Sequence, residues 1–281
     1  MKITNIAVVG VSEHIVDKAL KHTKEFFERS GYTVLVGNGE VLPCETDKVL
    51  VIHTECSVEP DAVFYIGEES TDKDAEIISR WTGHPHFRII GGRYIGDGMT
   101  DRLIDEIKRF LGEPEPLEIE RKFLIEYPDL EMLHKLPACC RVEIVQVYLK
   151  WKDGHKARIR SRAVNGECMY FHTVKKSITP AKRIEIERRL TEEEYLGFLN
   201  DTECVKNKLE KDRYCISYDS QYFELDVYPF WNDRAVLEIE LLHENEEIRF
   251  PEWAKVIREV TGDRHYNNST LARKVSKGKK A

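Results

Sequence analysis

Apolar residues recur along the first part of the chain in two alternating rhythms. Residues 3–9 read as a buried strand, and 12–30 carry Ile15, Ala19, Leu20, Phe26 and Phe27 near one stripe of a helical period. Ser12 is placed to cap that helix and Gly31 to end it. Further strands are predicted at 32–36, 47–53, 61–66 and 86–90, and further helices at 71–82 and 99–111. Strands alternating with helices imply an α/β domain, a parallel sheet in a three-layer arrangement. Gly112-Glu113-Pro114-Glu115-Pro116 stops the pattern, because proline suits neither a helix interior nor a central strand. Residues 113–116 therefore read as a stiff linker between one domain at 1–112 and a second at 117–281.

Beyond the linker the period becomes two, and charge alternates with apolar residues. In Leu117–Ile125 an extended chain puts Glu118, Glu120 and Lys122 on one face and Ile119, Arg121 and Phe123 on the other. Arg158, Arg160 and Arg162 alternate in the same way, as do Glu185 and Glu187, Lys211 and Arg213, Glu224 and Asp226, and Glu238 and Glu240. A solvated face explains any one such run. It does not explain strands that are wholly acidic or wholly basic, since like charges repel and surface strands interleave both signs. If the strands close with the charged face inward, the acidic ones can hold divalent cations and the basic ones a polyanion.

Glu118-x-Glu120-x-Lys122 at the head of this series resembles the signature of the CYTH superfamily, the triphosphate tunnel metalloenzymes. Gln146-x-Tyr148-Leu149, Arg158-Ile159-Arg160, Thr173-x-Lys175 and Arg183-Ile184-Glu185-Ile186-Glu187 follow in that family's order. So do Lys211-Asp212-Arg213-Tyr214, Glu224-Leu225-Asp226-Val227 and Leu237-Glu238-Ile239-Glu240-Leu241. The stretch from Val260 through Asp263-Arg264-His265-Tyr266 to Asn268 resembles the end of the bacterial branch, so the resemblance runs over roughly 117–274.

The resemblance implies an eight-stranded antiparallel β-barrel with helices packed outside, α+β for the whole chain, and a small-molecule triphosphate bound in the tunnel. It makes Lys122, Arg158, Arg160, Lys175, Arg183, Lys211 and Arg213 phosphate-binding, and Glu118, Glu120, Glu187, Asp226, Glu238 and Glu240 ligands of Mg2+ or Mn2+. Glu118, Glu120 and Lys122 become the catalytic set, an acid of the first strand orienting or deprotonating water, while Glu185 and Glu187 fix basic groups or assist a second metal. Tyr148, Arg264 and Tyr266 are lesser candidates, and the terminal segment is a candidate plug for one tunnel mouth. The expected reaction is hydrolysis of a terminal phosphoanhydride, with inorganic triphosphate as first choice. Thiamine triphosphatase and adenylyl cyclase are the alternatives within the superfamily, which also includes RNA triphosphatases, and a non-catalytic polyphosphate or nucleotide sensor is the alternative outside it.

Composition narrows this further. The chain has 281 residues, 41% hydrophobic and 33% charged, enough for two globular domains. A formal net charge of -7 opposes a nucleic-acid binder. No apolar run reaches membrane-spanning length and the N-terminus lacks a signal pattern, so a cytoplasmic protein is expected, with a homodimer left open. The 7 cysteines show no C-x-x-C spacing and read as reduced thiols. In residues 1–112 the stretch 81–90, from Trp81-Thr82-Gly83 to Ile89-Ile90, and Arg109–Gly112 resemble the end of the P-loop NTPase domain that precedes the CYTH domain in some bacterial relatives. The Walker A pattern is missing, since the glycine after Gly10 is Gly31, and no nucleotide chemistry is expected there. His84 and His86 read as structural.

Overall fold

The computed structural model describes residues 2–37, 47–54, 59–67, 71–91, 97–149, 156–200 and 205–276. The chain divides into two compact units, Met1–Pro114 with Ser217–Tyr222, and Glu115–Ile216 with Phe223–Ala281.

The first unit runs β1 (Lys2–Val9), α1 (Glu13–Arg29), β2 (Thr33–Val36), β3 (Lys48–His53), β4 (Ala62–Gly67), α2 (Asp72–Trp81), β5 (Phe87–Gly91) and α3 (Asp97–Leu111). Its strands are parallel in the order β2-β3-β1-β4-β5. All of β4 is buried, as a sheet covered on both faces requires. On one face Val16, Ala19, Leu20 and Phe27 of α1 and Met99, Leu103 and Ile107 of α3 pack over Ile6, Val8, Phe64 and Ile66. On the other, the Tyr65 hydroxyl donates to Asp74 of α2 at 2.5 Å. Ser12 caps α1 by accepting from the Ile15 amide, and Gly31 turns the chain out of it at φ 86°. Only Gly10, Val11 and Ser12 separate β1 from α1, and a Cβ at Gly10 would overlap the Ile66 carbonyl oxygen. A turn of three residues is too short for the G-x-x-x-x-G-K-[ST] loop. His84 Nε2 lies 3.1 Å from the Pro60 carbonyl oxygen, and the His86 ring packs 5.1 Å from that of Phe110, both structural placements.

The second unit holds β6 (Leu117–Glu126), α4 (Leu130–Leu133), β7 (Cys139–Leu149), β8 (Lys156–Val164), β9 (Glu167–Ser177) and β10 (Lys182–Leu190). It continues with α5 (Glu192–Asn200), β11 (Val205–Tyr218), β12 (Gln221–Val227), β13 (Arg234–Leu241), β14 (Val256–Glu259), a 3-10 turn at Arg264–Tyr266 and α6 (Asn268–Ser276). Strands β10-β9-β8-β7-β11-β12-β13-β6 form an antiparallel sheet that closes through β10–β6 pairing, Arg183 standing opposite Glu118. This is the eight-stranded barrel. The second edge of β6 is shared, its first residues pairing with β10 and its last with β14.

Alternation along these strands sorts apolar from charged residues. Ile119, Phe123, Ile125, Leu225, Leu237 and Ile239 form an outer core with Leu133 of α4, and Val147, Leu149 and Ile159 pack against Tyr195 of α5. Each fully buried side chain of this size contributes roughly 1.5–3 kcal/mol. One end of the barrel interior is apolar as well: Leu124, Leu209, Tyr228 and Val236 meet Leu271 and Ala272 of α6. The Tyr228 hydroxyl bonds Asn268 at 2.5 Å, fixing α6 over that end. The terminal segment is thus a plug, and α6 caps the barrel while α5 packs outside it. Among the described residues no helix is long and apolar enough to cross a membrane.

Candidate active site

The inward positions of seven strands, β6 and β8 to β13, bring the charged side chains together, and β7 adds the neutral Gln146 and Tyr148. Register explains why: Glu118 faces Arg183, Glu185 faces Lys175, Lys122 faces Glu238, and Glu224 faces Glu238 across neighbouring strands. Residues far apart in sequence therefore meet along one lining.

Three clusters of ion pairs result. In the first, Arg183 forks onto Glu118, with Nε and Nη2 at 2.8 and 2.7 Å, and its Nη2 also contacts Glu120. Lys175 contacts Glu185 and lies 3.7 Å from Glu118. In the second, Lys122 bridges Glu120 at 2.7 Å and Glu238, while Arg213 grips Asp226 at 2.7 and 2.9 Å, reaches Glu238 at 2.8 Å and contacts Glu224. Lys211 joins them through Asp226. In the third, Arg160 meets Glu187 at 3.1 Å and Thr173 donates to the same carboxylate at 2.7 Å. Arg158 donates to Gln146 at 3.3 Å, and Gln146 to the Tyr148 hydroxyl at 2.9 Å. Glu240 stands opposite Glu120 in register and so on the same face.

Every residue named from the sequence as catalytic, phosphate-binding or metal-binding lies on this lining, as does Tyr148, whereas Arg264 and Tyr266 lie on the 3-10 turn of the terminal segment. Gln146, Thr173, Glu185 and Glu224 complete it and were absent from the substrate and metal sets, although Glu185 and Glu224 carry the same alternation signal. Thr173 and Gln146 are neutral, and only the register shows that they orient Glu187 and Arg158. Arg121, on the opposite strand face, leaves the lining and forks onto Glu259 of β14 at 3.0 and 2.7 Å.

Burial opposes charge on Glu118, and Arg183 and Lys175 overcome it, holding the carboxyl well below the usual range. Arg183 and Lys122 do the same for Glu120, as Arg213 and Lys211 do for Asp226. Glu185 is pushed up to about 8 by burial and by Glu118, against the pull of Lys175. Lys175 makes contact, yet the carboxylate beside it prevails; the two carboxyls share a proton, which belongs to the pair. Burial and Arg213 push Lys211 down to about 8 despite its contact with Asp226, because Arg213 already engages both Asp226 oxygens.

The lining fits both halves of a metal–polyphosphate ligand. Arg158 Nε and Arg160 Nε are buried donors that make no hydrogen bond. Glu120 Oε1, although 2.7 Å from Lys122 Nζ, makes none either. The oxygens are all carboxylate, the type that hard divalent cations take. Among the described residues no three acidic, His or Cys side chains converge as a preformed metal cluster, since each carboxylate is drawn to a cation of the wall.

No family model matches the chain. An inorganic triphosphatase of Acetivibrio thermocellus is 32% identical over 160 residues, which span 93% of that protein and 56% of this chain. The chain belongs to the CYTH family of triphosphate tunnel proteins. A solved inorganic triphosphatase is 31% identical, over 55% of this chain and 93% of its own, with a TM-score of 0.37. A solved protein of Pyrococcus horikoshii is 23% identical over 46% of this chain and 80% of its own, with a TM-score of 0.35. In CYTH terms the acidic and basic strands face one tunnel, and the first-strand motif sits where the barrel closes.

Proposed function

We propose that this chain hydrolyses inorganic triphosphate in the tunnel, with Mg2+ or Mn2+. The observation that carries the reading is two buried donors, Arg158 Nε and Arg160 Nε, that make no hydrogen bond although the two guanidiniums also face Glu185 at 3.6 Å and Glu187 at 3.1 Å. Phosphate oxygens supply the acceptors these arginines lack. Glu118, Glu120, Glu187, Asp226, Glu238 and Glu240 would hold the metal, which when bound neutralises phosphate charge and acidifies water.

In the reaction, water oxygen bonds to the terminal phosphorus, the phosphorus bond to the bridging oxygen breaks, and phosphate and pyrophosphate leave. Glu118 and Glu120, kept ionised by Arg183, are suited to orient the attacking water by accepting a hydrogen bond from it. Arg158, Arg160, Lys175, Lys211 and Arg213 position the chain of phosphates, and Lys122 offers its ammonium beside the two acids. The plugged end keeps bulk water from that side of the site. In the cell the protein would act on a small soluble triphosphate in the cytoplasm.

The test is phosphate release from inorganic triphosphate, ATP and thiamine triphosphate, each with Mg2+, Mn2+ or EDTA. Inorganic triphosphate with metal is expected to be best, and EDTA to stop the reaction. Preference for ATP with cyclic AMP and pyrophosphate as products would replace the reading with a cyclase, and binding without turnover would replace it with a sensor.

A further inference from the structure

On the second unit, outside the apolar plug, lies a cavity of about 250 Å3 lined by Trp231, Arg234, Arg258, Asp263, Tyr266 and Lys274, with His265 beside them. In a chain of net charge -7 this lining is locally positive. Its one carboxylate is already engaged, since Asp263 accepts from Arg258 Nη2 at 2.9 Å and from the His265 amide at 3.0 Å. Arg234 is held from outside the cavity by Asp233, at 2.8 Å from its Nε.

The two arginines are also fixed by aromatic rings. Arg258 lies 5.2 Å from the centre of Tyr266, and Arg234 lies 6.0 Å from that of Trp231. Little entropy remains to be lost when they meet a ligand. Lys274 is half-buried on α6, one turn after the buried Leu271, and makes no hydrogen bond or ion pair among the described residues. With no counter-ion among the described residues, this ammonium gains from an anion in the cavity.

From this arrangement we infer that the cavity is an anion site for a compact inorganic phosphate, with pyrophosphate as the fitting probe. Three cations converge, and although Asp233 and Asp263 engage the two arginines, their remaining N–H donors and the Lys274 ammonium suit an anion with several oxygens over a simple carboxylate. The volume falls below the ~300–1,000 Å3 of pockets for drug-sized organic ligands. Trp231 is only 9% exposed, so it offers no free ring face on which a nucleobase could stack. The site is separate from the tunnel and does not depend on the hydrolytic reading. Trp231 and Tyr266 also belong to the plug, so its occupant rests against the closed end of the barrel.

Calorimetric titration of the full chain with pyrophosphate in EDTA tests the inference. Wild-type protein is expected to bind it at this site, Lys274→Gln to weaken that binding at least tenfold, Arg258→Gln with Lys274→Gln to abolish it, and Lys274→Arg to keep it. Arg160→Gln, in the tunnel, should leave this binding unchanged. Lys274 has no hydrogen-bond or ion-pair partner among the described residues to lose, so its single substitution reads binding without unfolding the protein. Undiminished affinity in Lys274→Gln, no binding by wild type, or loss of all binding in Arg160→Gln would overturn the assignment.

Discussion

Glu120 on β6 and Glu240 on β13 stand directly opposite each other on the tunnel face. Like charges so placed destabilise a strand pair, and the contacts of Arg183 and Lys122 with Glu120 offset that cost in the metal-free barrel. A divalent cation beside the two carboxylates would offset it further. Mg2+ or Mn2+ should therefore raise the melting temperature relative to EDTA, by an amount equivalent to ~2.7 kcal/mol at a hundredfold excess over Kd. Glu240→Gln should shrink that difference while leaving the EDTA melt close to wild type. A full metal response in Glu240→Gln would remove Glu240 from the ligand set.

Arg213 holds the buried Asp226 and Glu238 and the half-buried Glu224, and its loss leaves Asp226 with Lys211, Glu238 with Lys122 and Glu224 without its ion pair to Arg213. Arg213→Ala should destabilise the protein by ~3–5 kcal/mol in a urea melt, the range for uncompensated buried charge. Arg213→Lys should recover part of this, because a lysine replaces the charge but not the bidentate geometry. Equal losses for the two variants would mean that the fork, rather than the charge, sets the stability.

Stability should depend on pH at both ends of the scale, with opposite signs. Glu118, Glu120 and Asp226 have depressed folded-state pKa values, so their contribution is present above the ordinary carboxylate value of ~4 and is lost as pH falls through the folded values. Glu185 is raised to about 8, so its contribution is full below its unfolded value and disappears as pH rises to about 8. Melts in EDTA should thus show an acid limb and a decline from mildly acidic pH up to about 8. Glu185→Gln, which mimics the protonated carboxyl, should flatten the decline and spare the acid limb. A decline that survives this change would place the shared proton elsewhere.

Much of this site was legible because period-two alternation fixes faces before register is known. Glu118, Glu120 and Lys122 fall inward and Arg121 outward by that rule alone, and the caps at Ser12 and Gly31 follow from equally local preferences. The partner of each charge was not legible. Arg183 meets Glu118 across 65 positions of sequence through the closing β10–β6 register, which no local pattern encodes. The sign of a mutational effect was hidden for the same reason. Crowded carboxylates read from sequence suggest relief on neutralising one, whereas the contacts of Glu120 with Arg183 and Lys122 make Glu120→Gln a loss of two ion pairs. The short α4 and the shared edge of β6 leave no periodic trace at all.

In the first unit, Glu106 of α3 is 4% exposed and draws Arg102 at 2.9 Å, Arg109 at 3.0 Å and Arg88 at 3.9 Å. Burial opposes its charge, and the three guanidiniums hold its carboxyl below the usual range. Glu106→Gln would remove the buried carboxylate that these three arginines share. It should cost ~3–5 kcal/mol of stability, read by urea melt, with turnover of triphosphate by the folded protein unchanged. A matching fall in turnover at full folding would show that this unit contributes to catalysis.

The two faces of β6 supply the most direct test of the tunnel. Glu118 points inward to Arg183 and Lys175, and Arg121 points outward to Glu259 and over the Phe123 ring, 5.2 Å from its centre. Glu118→Gln keeps the shape while removing a charged oxygen, so turnover should fall by several orders of magnitude with the fold retained, as far as far-ultraviolet circular dichroism can show. Arg121→Gln breaks a half-exposed ion pair worth no more than ~1 kcal/mol and should keep most of its activity. The residues are three apart on one strand, so any general weakening of β6 would affect both variants alike. Only the difference in facing separates them. An inactive Arg121→Gln beside an active Glu118→Gln would place the reaction on the outer face, and the tunnel reading would fail.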